Sequence, residues 1–157
     1  MSIRNNSGFT AIEIITVMIV MGIISAFVIG RAMEKEPELV AQKEVLKVHL
    51  RYAQSRAMNS NDNYGIISDA TGAAYSLFRY NTATGAVTVS FPGEGPNIDL
   101  SALGLSMDAD IIISFDSKGI PYINNSGTLQ VGDRTLTLSS GSDSESITIT
   151  QNTGFIQ

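Results

Sequence analysis

The stretch "GFTAIEIITVMIVMGIISAFVIGRA", Gly8–Ala32, decides how the rest of the chain is read. From Phe9 to Ile29 it runs 21 residues with a single charged side chain, Glu13. At about 1.5 Å per residue a helix of that length covers about 31 Å, enough for the roughly 30 Å hydrocarbon core of a bilayer. A secretory signal peptide fits less well. Its apolar region is shorter, it carries no acid, and it ends in a small-x-small cleavage site that is missing here. A helix buried in a soluble core would keep some polar face, and this one has none. The stretch therefore reads as a membrane anchor. Arg4 lies before it, and Arg31 and Lys35 after it, so the balance of Lys and Arg leaves orientation nearly undecided. The short polar segment ahead of it makes an inside N-terminus the more natural choice.

Beyond the anchor the chain is large enough for one further domain with a core of its own. The 157-residue sequence has net charge −5, one histidine and no cysteine. Without cysteine there are no disulfides, thiolate metal sites or thiol nucleophiles. The acidic balance argues against nucleic-acid binding, which usually leaves a basic footprint. In "ELVAQKEVLKVHLRYAQSRAMNSN", residues 38–61, an apolar stripe of Leu39, Leu46, Leu50, Ala53 and Ala57 marks an amphipathic helix. Pro37 should break or kink the helix near its start, and the turn formers of Asn59–Asn63 should end it.

From there the period changes to two. "AVTVSF" places Val87, Val89 and Phe91 on one face, "DIIISF" Ile111, Ile113 and Phe115, "TLTL" Leu136 and Leu138, and "SITIT" Ile147 and Ile149. Thr and Ser fill most alternate positions, the pattern of half-buried antiparallel strands. Shorter strands are expected at Tyr64–Ile67, Tyr75–Tyr80, Ile120–Ile123 and Phe155–Ile156. Turn signals stand between them: "NTATG", "FPGEGPN", "DSKG", "NNSG", "SSGSDS" and "QNTG". The layout is α+β: a long N-terminal helix, its first half in the membrane, packed on an antiparallel sheet.

A short polar leader, Gly8, then "FTAIE" and an apolar helix resembles the processing motif of type IV pilins and type II secretion pseudopilins. "LRYAQSRAMNSNDNYGI" (Leu50–Ile66), "IISFDSKGIP" (Ile112–Pro121) and "ITITQNTGFI" (Ile147–Ile156) are similar to the H-type minor pseudopilins and related minor pilins (GspH/FimT-like). The resemblance implies residues 1–8 as leader, 9–29 as transmembrane helix, 30–61 as its amphipathic extension and 62–157 as the β domain. Residues 30–157 would then form one soluble extracytoplasmic domain. It implies that a prepilin peptidase cuts between Gly8 and Phe9 and methylates the Phe9 amine. It also implies that an inner-membrane platform protein and its ATPase move the subunit from the bilayer into a filament of pilin or pseudopilin subunits. The chain would be a single-pass inner-membrane protein with its C-terminal domain in the periplasm. A minor pseudopilus subunit of a type II secretion system is the first reading, and a minor pilin of a type IV pilus the second. Some members of the subgroup bind DNA through a basic C-terminal loop. Here Arg134 and Lys118 stand among Asp143 and Glu145, so nucleic acid is not expected.

Glu13 then has a role. A carboxylate inside lipid is unfavourable without a partner, and cleavage creates a cationic amine at Phe9; pairing between neighbouring subunits would fix axial register. Lys43, Lys47 and Arg51, four apart, are a candidate subunit contact on the amphipathic helix. Asp108 with Asp110, and Asp143 with Glu145, are weak calcium candidates without the spacing of a dedicated loop. Catalysis has little to build on. His49 is the only histidine, "GEGPN" lacks the lysine of a phosphate loop, and no cofactor is expected. A membrane-anchored periplasmic enzyme is the remote alternative. Mass spectrometry of the membrane-extracted protein should find a chain that begins at methylated Phe9; an intact Met1 end in cells carrying the peptidase would contradict the processing motif.

Overall fold

The computed structural model describes residues 10–31, 37–130 and 132–157, with side chains over 10–25 in the first stretch. The chain divides into two units, Met1–Lys35 and Glu36–Gln157. In the first, α1 runs from Ala11 to Arg31. It contains no proline, and the Thr16 hydroxyl donates back to the Ile12 carbonyl at 2.8 Å, so this polar group is satisfied within the helix. Its described side chains are exposed on every side, Ile12 and Met18 by 68% and 70%. Among the described residues no helix is long and apolar enough to cross a membrane. The expected leader, Phe9 and the segment 32–36 lie outside the described residues.

The second unit opens with α2, Pro37–Met58. Pro37 stands at the first helical position, where a missing N–H costs nothing. The helix ends just before the asparagine-rich turn, and its expected stripe is buried completely: Leu39, Leu46, Leu50, Ala53 and Ala57 are all 0% exposed. Each leucine contributes about 1.5–3 kcal/mol of burial.

Among the described residues nine strands follow: β1 Asn63–Ser68, β2 Ala74–Asn81, β3 Gly85–Val89, β4 Asn97–Asp99, β5 Ser106–Met107, β6 Ile112–Phe115, β7 Pro121–Tyr122, β8 Arg134–Ser140 and β9 Asp143–Ile149. They form two antiparallel sheets where one was expected. The first has the order β3-β2-β1-β6-β7, with β4 also paired to β2; the second is β5-β8-β9. Phe155–Ile156 is reduced to a bridge from Ile156 to Ile149, and β4, β5 and the 3-10 turn Ser101–Leu103 carry no pattern in the sequence that announces them. Side-chain amide and carboxylate oxygens shape the turns. Asn81 Oδ1 accepts from the backbone N–H of Ala83 and Thr84 between β2 and β3. Asp116 Oδ1 accepts from those of Lys118 and Ile120 between β6 and β7.

α2 packs on β1 and β6 of the first sheet and on β8 and β9 of the second, so both sheets share one core. Ile66, Leu77, Ile113 and Phe115 come from one sheet, and Leu136, Leu138, Ile147 and Ile149 from the other. Gln54 joins the same parts by polar bonds: its Nε2 donates to the Gly119 carbonyl in the β6–β7 turn and to the Gly154 carbonyl after β9, both at 3.0 Å. Gly154, at φ +61, has no room for a Cβ between Gly119 and Gln54. On the opposite face of the first sheet Phe78 lies against its register partner Gly65 and is only 2% exposed. A Cβ on Gly65 would run into the Ile113 carbonyl, Ser114 Cα and the Phe78 ring. Gly65→Ala is therefore expected to lower stability by about 2–4 kcal/mol in denaturant unfolding. Gly132→Ala, where a Cβ meets open space, should stay within about 0.5 kcal/mol.

Candidate assembly residues and a buried histidine hub

Gly8 and Phe9 lie outside the described residues. Glu13 sits in the first turn of α1, its backbone N–H donating to the Thr10 carbonyl at 3.1 Å. Its carboxylate therefore stands near the positive end of the helix dipole. With Ile14, Val17 and Met18 it borders an open recess of about 330 Å³. It is the one charged residue from Thr10 to Ile29.

The basic stripe on α2 is engaged within its own domain. Lys43 Nζ lies 3.0 Å from Glu145 on β9, with 19% and 16% of the two side chains exposed. Lys47 meets Glu44 at 2.8 Å and holds that carboxyl below its usual range, first through the hydrogen bond and then through its charge. Arg51 Nη2 donates to the Ile156 carbonyl at 3.1 Å. The outer side of α2 also exposes apolar side chains, Val40, Val45 and Val48 by 42%, 37% and 59% and Met58 by 54%, among the exposed Glu44, Arg51 and Ser55. The buried stripe already implied these positions, because residues that do not face the core must face outward.

The acidic pairs do not converge. Asp108 Oδ2 accepts the Thr137 N–H at 2.8 Å, and its carbonyl accepts the Ser68 hydroxyl at 2.9 Å, so it links β1 to β8. Asp110 is exposed at φ 52, Asp143 opens β9, and Glu145 is bonded to Lys43. Among the described residues no three histidine, cysteine, aspartate or glutamate side chains are grouped to hold an ion.

His49 lies inside the domain, 7% exposed. Its ring stacks on Phe91 with centroids 4.0 Å apart and planes 18° from parallel. Nδ1 is 2.8 Å from the Tyr75 hydroxyl, and Nε2 is 3.5 Å from Glu94 Oε2. Burial holds the imidazole below its ordinary range, with the Glu94 charge pulling partly back. Burial likewise drives the Tyr75 hydroxyl upward, so it stays protonated. A carboxylate–imidazole–hydroxyl chain has the order of a catalytic relay. Here the terminal hydroxyl belongs to a residue only 1% exposed and cannot meet a substrate. Sequence alone points to His49 but not to these partners, which lie 26 residues or more along the chain and follow no common period.

An amphipathic helix laid across antiparallel sheets, in a chain that also carries a separate apolar helix, defines a pilin-like fold. Solved structures agree. The minor pseudopilin EpsH from the type II secretion system of Vibrio cholerae matches with a TM-score of 0.57 at 15% identity, over 76% of this chain and 94% of that one. The type IV minor pilin FimU of Pseudomonas aeruginosa matches with a TM-score of 0.52 at 22% identity, over 76% of this chain and 87% of that one. No protein-family model and no curated protein sequence matches the chain.

The Lys43–Glu145 pair is partly desolvated and joins α2 to β9. Lys43→Ala should lower unfolding free energy by about 1–2 kcal/mol, with a smaller difference in high salt, as read from denaturation midpoints at two ionic strengths.

Proposed function

We propose that the chain is a minor subunit of a type II secretion pseudopilus, built into a filament at the inner membrane to support protein export. The observation that carries this reading is the likeness of its fold to EpsH over nearly the whole of that structure. The higher identity to FimU favours a second reading, a minor pilin of a type IV pilus. In either case the subunit is structural and not an enzyme.

Two surfaces suit such a role. α1 exposes apolar side chains all round, and α2 turns Val40, Val45 and Val48 outward. Apolar area of this kind gains about 25 cal/mol per Å² when a neighbour covers it. Under this reading residues 9–29 anchor the precursor, the prepilin peptidase cuts after Gly8 and methylates Phe9, and a platform protein with its ATPase drives assembly. The β domain stands in the periplasm. Glu13 receives the Phe9 amine of an adjacent subunit. Within lipid that charge-assisted bond is strong, and removing one partner leaves the other charge uncompensated. Glu13→Ala should therefore still insert and be cleaved, yet enter filaments poorly. Immunoblots of sheared filaments against membrane fractions at native expression measure this; incorporation at the wild-type level would reject the pairing.

A further inference from the structure

His49 is the chain's only imidazole, and it is the meeting point of three elements. α2 supplies His49 itself, β2 supplies Tyr75, and the loop after β3 supplies Phe91 and Glu94. The hydrogen-bond directions fit one protonation state. Gln42, also on α2 and 7% exposed, partly offsets the effect of burial on the Tyr75 hydroxyl. With the ring proton on Nε2, the nitrogen that lies 3.5 Å from Glu94 Oε2, Nδ1 is free to accept from the Tyr75 hydroxyl at 2.8 Å. In neutral His49 the Tyr75 proton has an acceptor at Nδ1.

A second ring proton breaks this order. It would sit on Nδ1 facing the Tyr75 oxygen, and the Tyr75 proton would need another acceptor in a place where the residue is 1% exposed to water. The groups facing the imidazole are Tyr75 from β2 and Phe91 and Glu94 from the loop; Tyr52, from its own helix, contacts Phe91 in turn. Only Glu94 carries charge among them, and it is 43% exposed at the side chain.

The loop has little else to hold it. Residues 92–97 are all exposed, and the backbone bond within the loop, Glu94 N–H to the Phe91 carbonyl at 3.2 Å, is internal to it. Immediately beyond, β4 joins β2 by a short register in which Ile98 is opposite Tyr75. The hub therefore grips the segment at both ends, through Phe91 and Glu94 on one side and through the strand partner of Ile98 on the other.

We propose that the His49 hub is an acid-sensitive latch, in which neutral His49 holds the segment from Phe91 to Asp99 against α2 and β2 and proton uptake releases it. The direction follows from linkage. The latched imidazole binds its proton less readily than a released one at the ordinary value of 6.5. The latch is thus fully closed above that value. It opens progressively as pH falls below it, until the latched form also becomes protonated. Glu94 works against opening because its charge helps the latched form accept the proton.

Hydrogen exchange followed by mass spectrometry on the full-length chain in mild detergent tests this, corrected for the intrinsic pH dependence of exchange. The informative amides are those of β4 and of Leu100, which donates to the Ala73 carbonyl at 2.8 Å. Their protection should fall between about pH 7.5 and pH 5.5, while β8 and β9 stay protected. His49→Gln should abolish the pH dependence. Glu94→Gln should enlarge it, since the latched imidazole then resists protonation more strongly. Unchanged protection of the wild type across that range, or acid release that persists in His49→Gln, would overturn the latch. So would a smaller acid response in Glu94→Gln, a readout that remains if the His49 variant does not fold.

Discussion

The packing of one helix face against two sheets is the constraint on which the second unit depends. The buried side of α2 meets β1 and β6 in one direction and β8 and β9 in the other, with Leu39, Leu46 and Leu50 wholly removed from water. Neither sheet has a core without that helix. Short strands such as β5 and β7, two residues each, are far below the length at which a strand pair is stable by itself. The bonds from the Gln54 amide to Gly119 and Gly154 add direction to an attraction that is otherwise non-directional.

This also explains which parts of the fold were legible in the sequence. The α2 stripe and the alternating runs at 110–115, 135–138 and 146–150 are local periods, each dictated by one buried face; each falls on an element, with β8 and β9 reaching further, to Ser140 and back to Asp143, into residues that read as a turn. The turns announced themselves because Asn81 and Asp116 can bond their own following backbone. The division into two sheets was not legible. The chain passes to the second sheet at β5, returns to the first for β6 and β7, and goes back to the second at β8, a path set by pairings such as Met107 with Leu138 that no local period announces. β4 exists because β2 offers it an edge, not because "NID" favours a strand.

The candidate site divides the same way. A lone acid in an apolar run is conspicuous in any reading, so Glu13 needs no structure to be noticed. The basic stripe has contacts of its own. Spacing of four puts Lys43, Lys47 and Arg51 on one side of the helix, but that side borders β9 and the C-terminal segment, where Glu145 and the Ile156 carbonyl take up two of the three. Long cationic side chains at the margin of a packed helix bury their stems and reach the rim.

The polar bonds of α2 have a mechanical meaning. Lys43 is fastened to β9, Arg51 to the segment that bridges back to β9, and Gln54 to turns at the ends of both sheets. A tensile load applied along the axis of this helix is shared between the sheets at several points along its length. To slide, the helix must shear those attachments together with its leucine contacts, whereas a helix fixed at one end could be peeled away one bond at a time. The domain is braced to carry force through its helix.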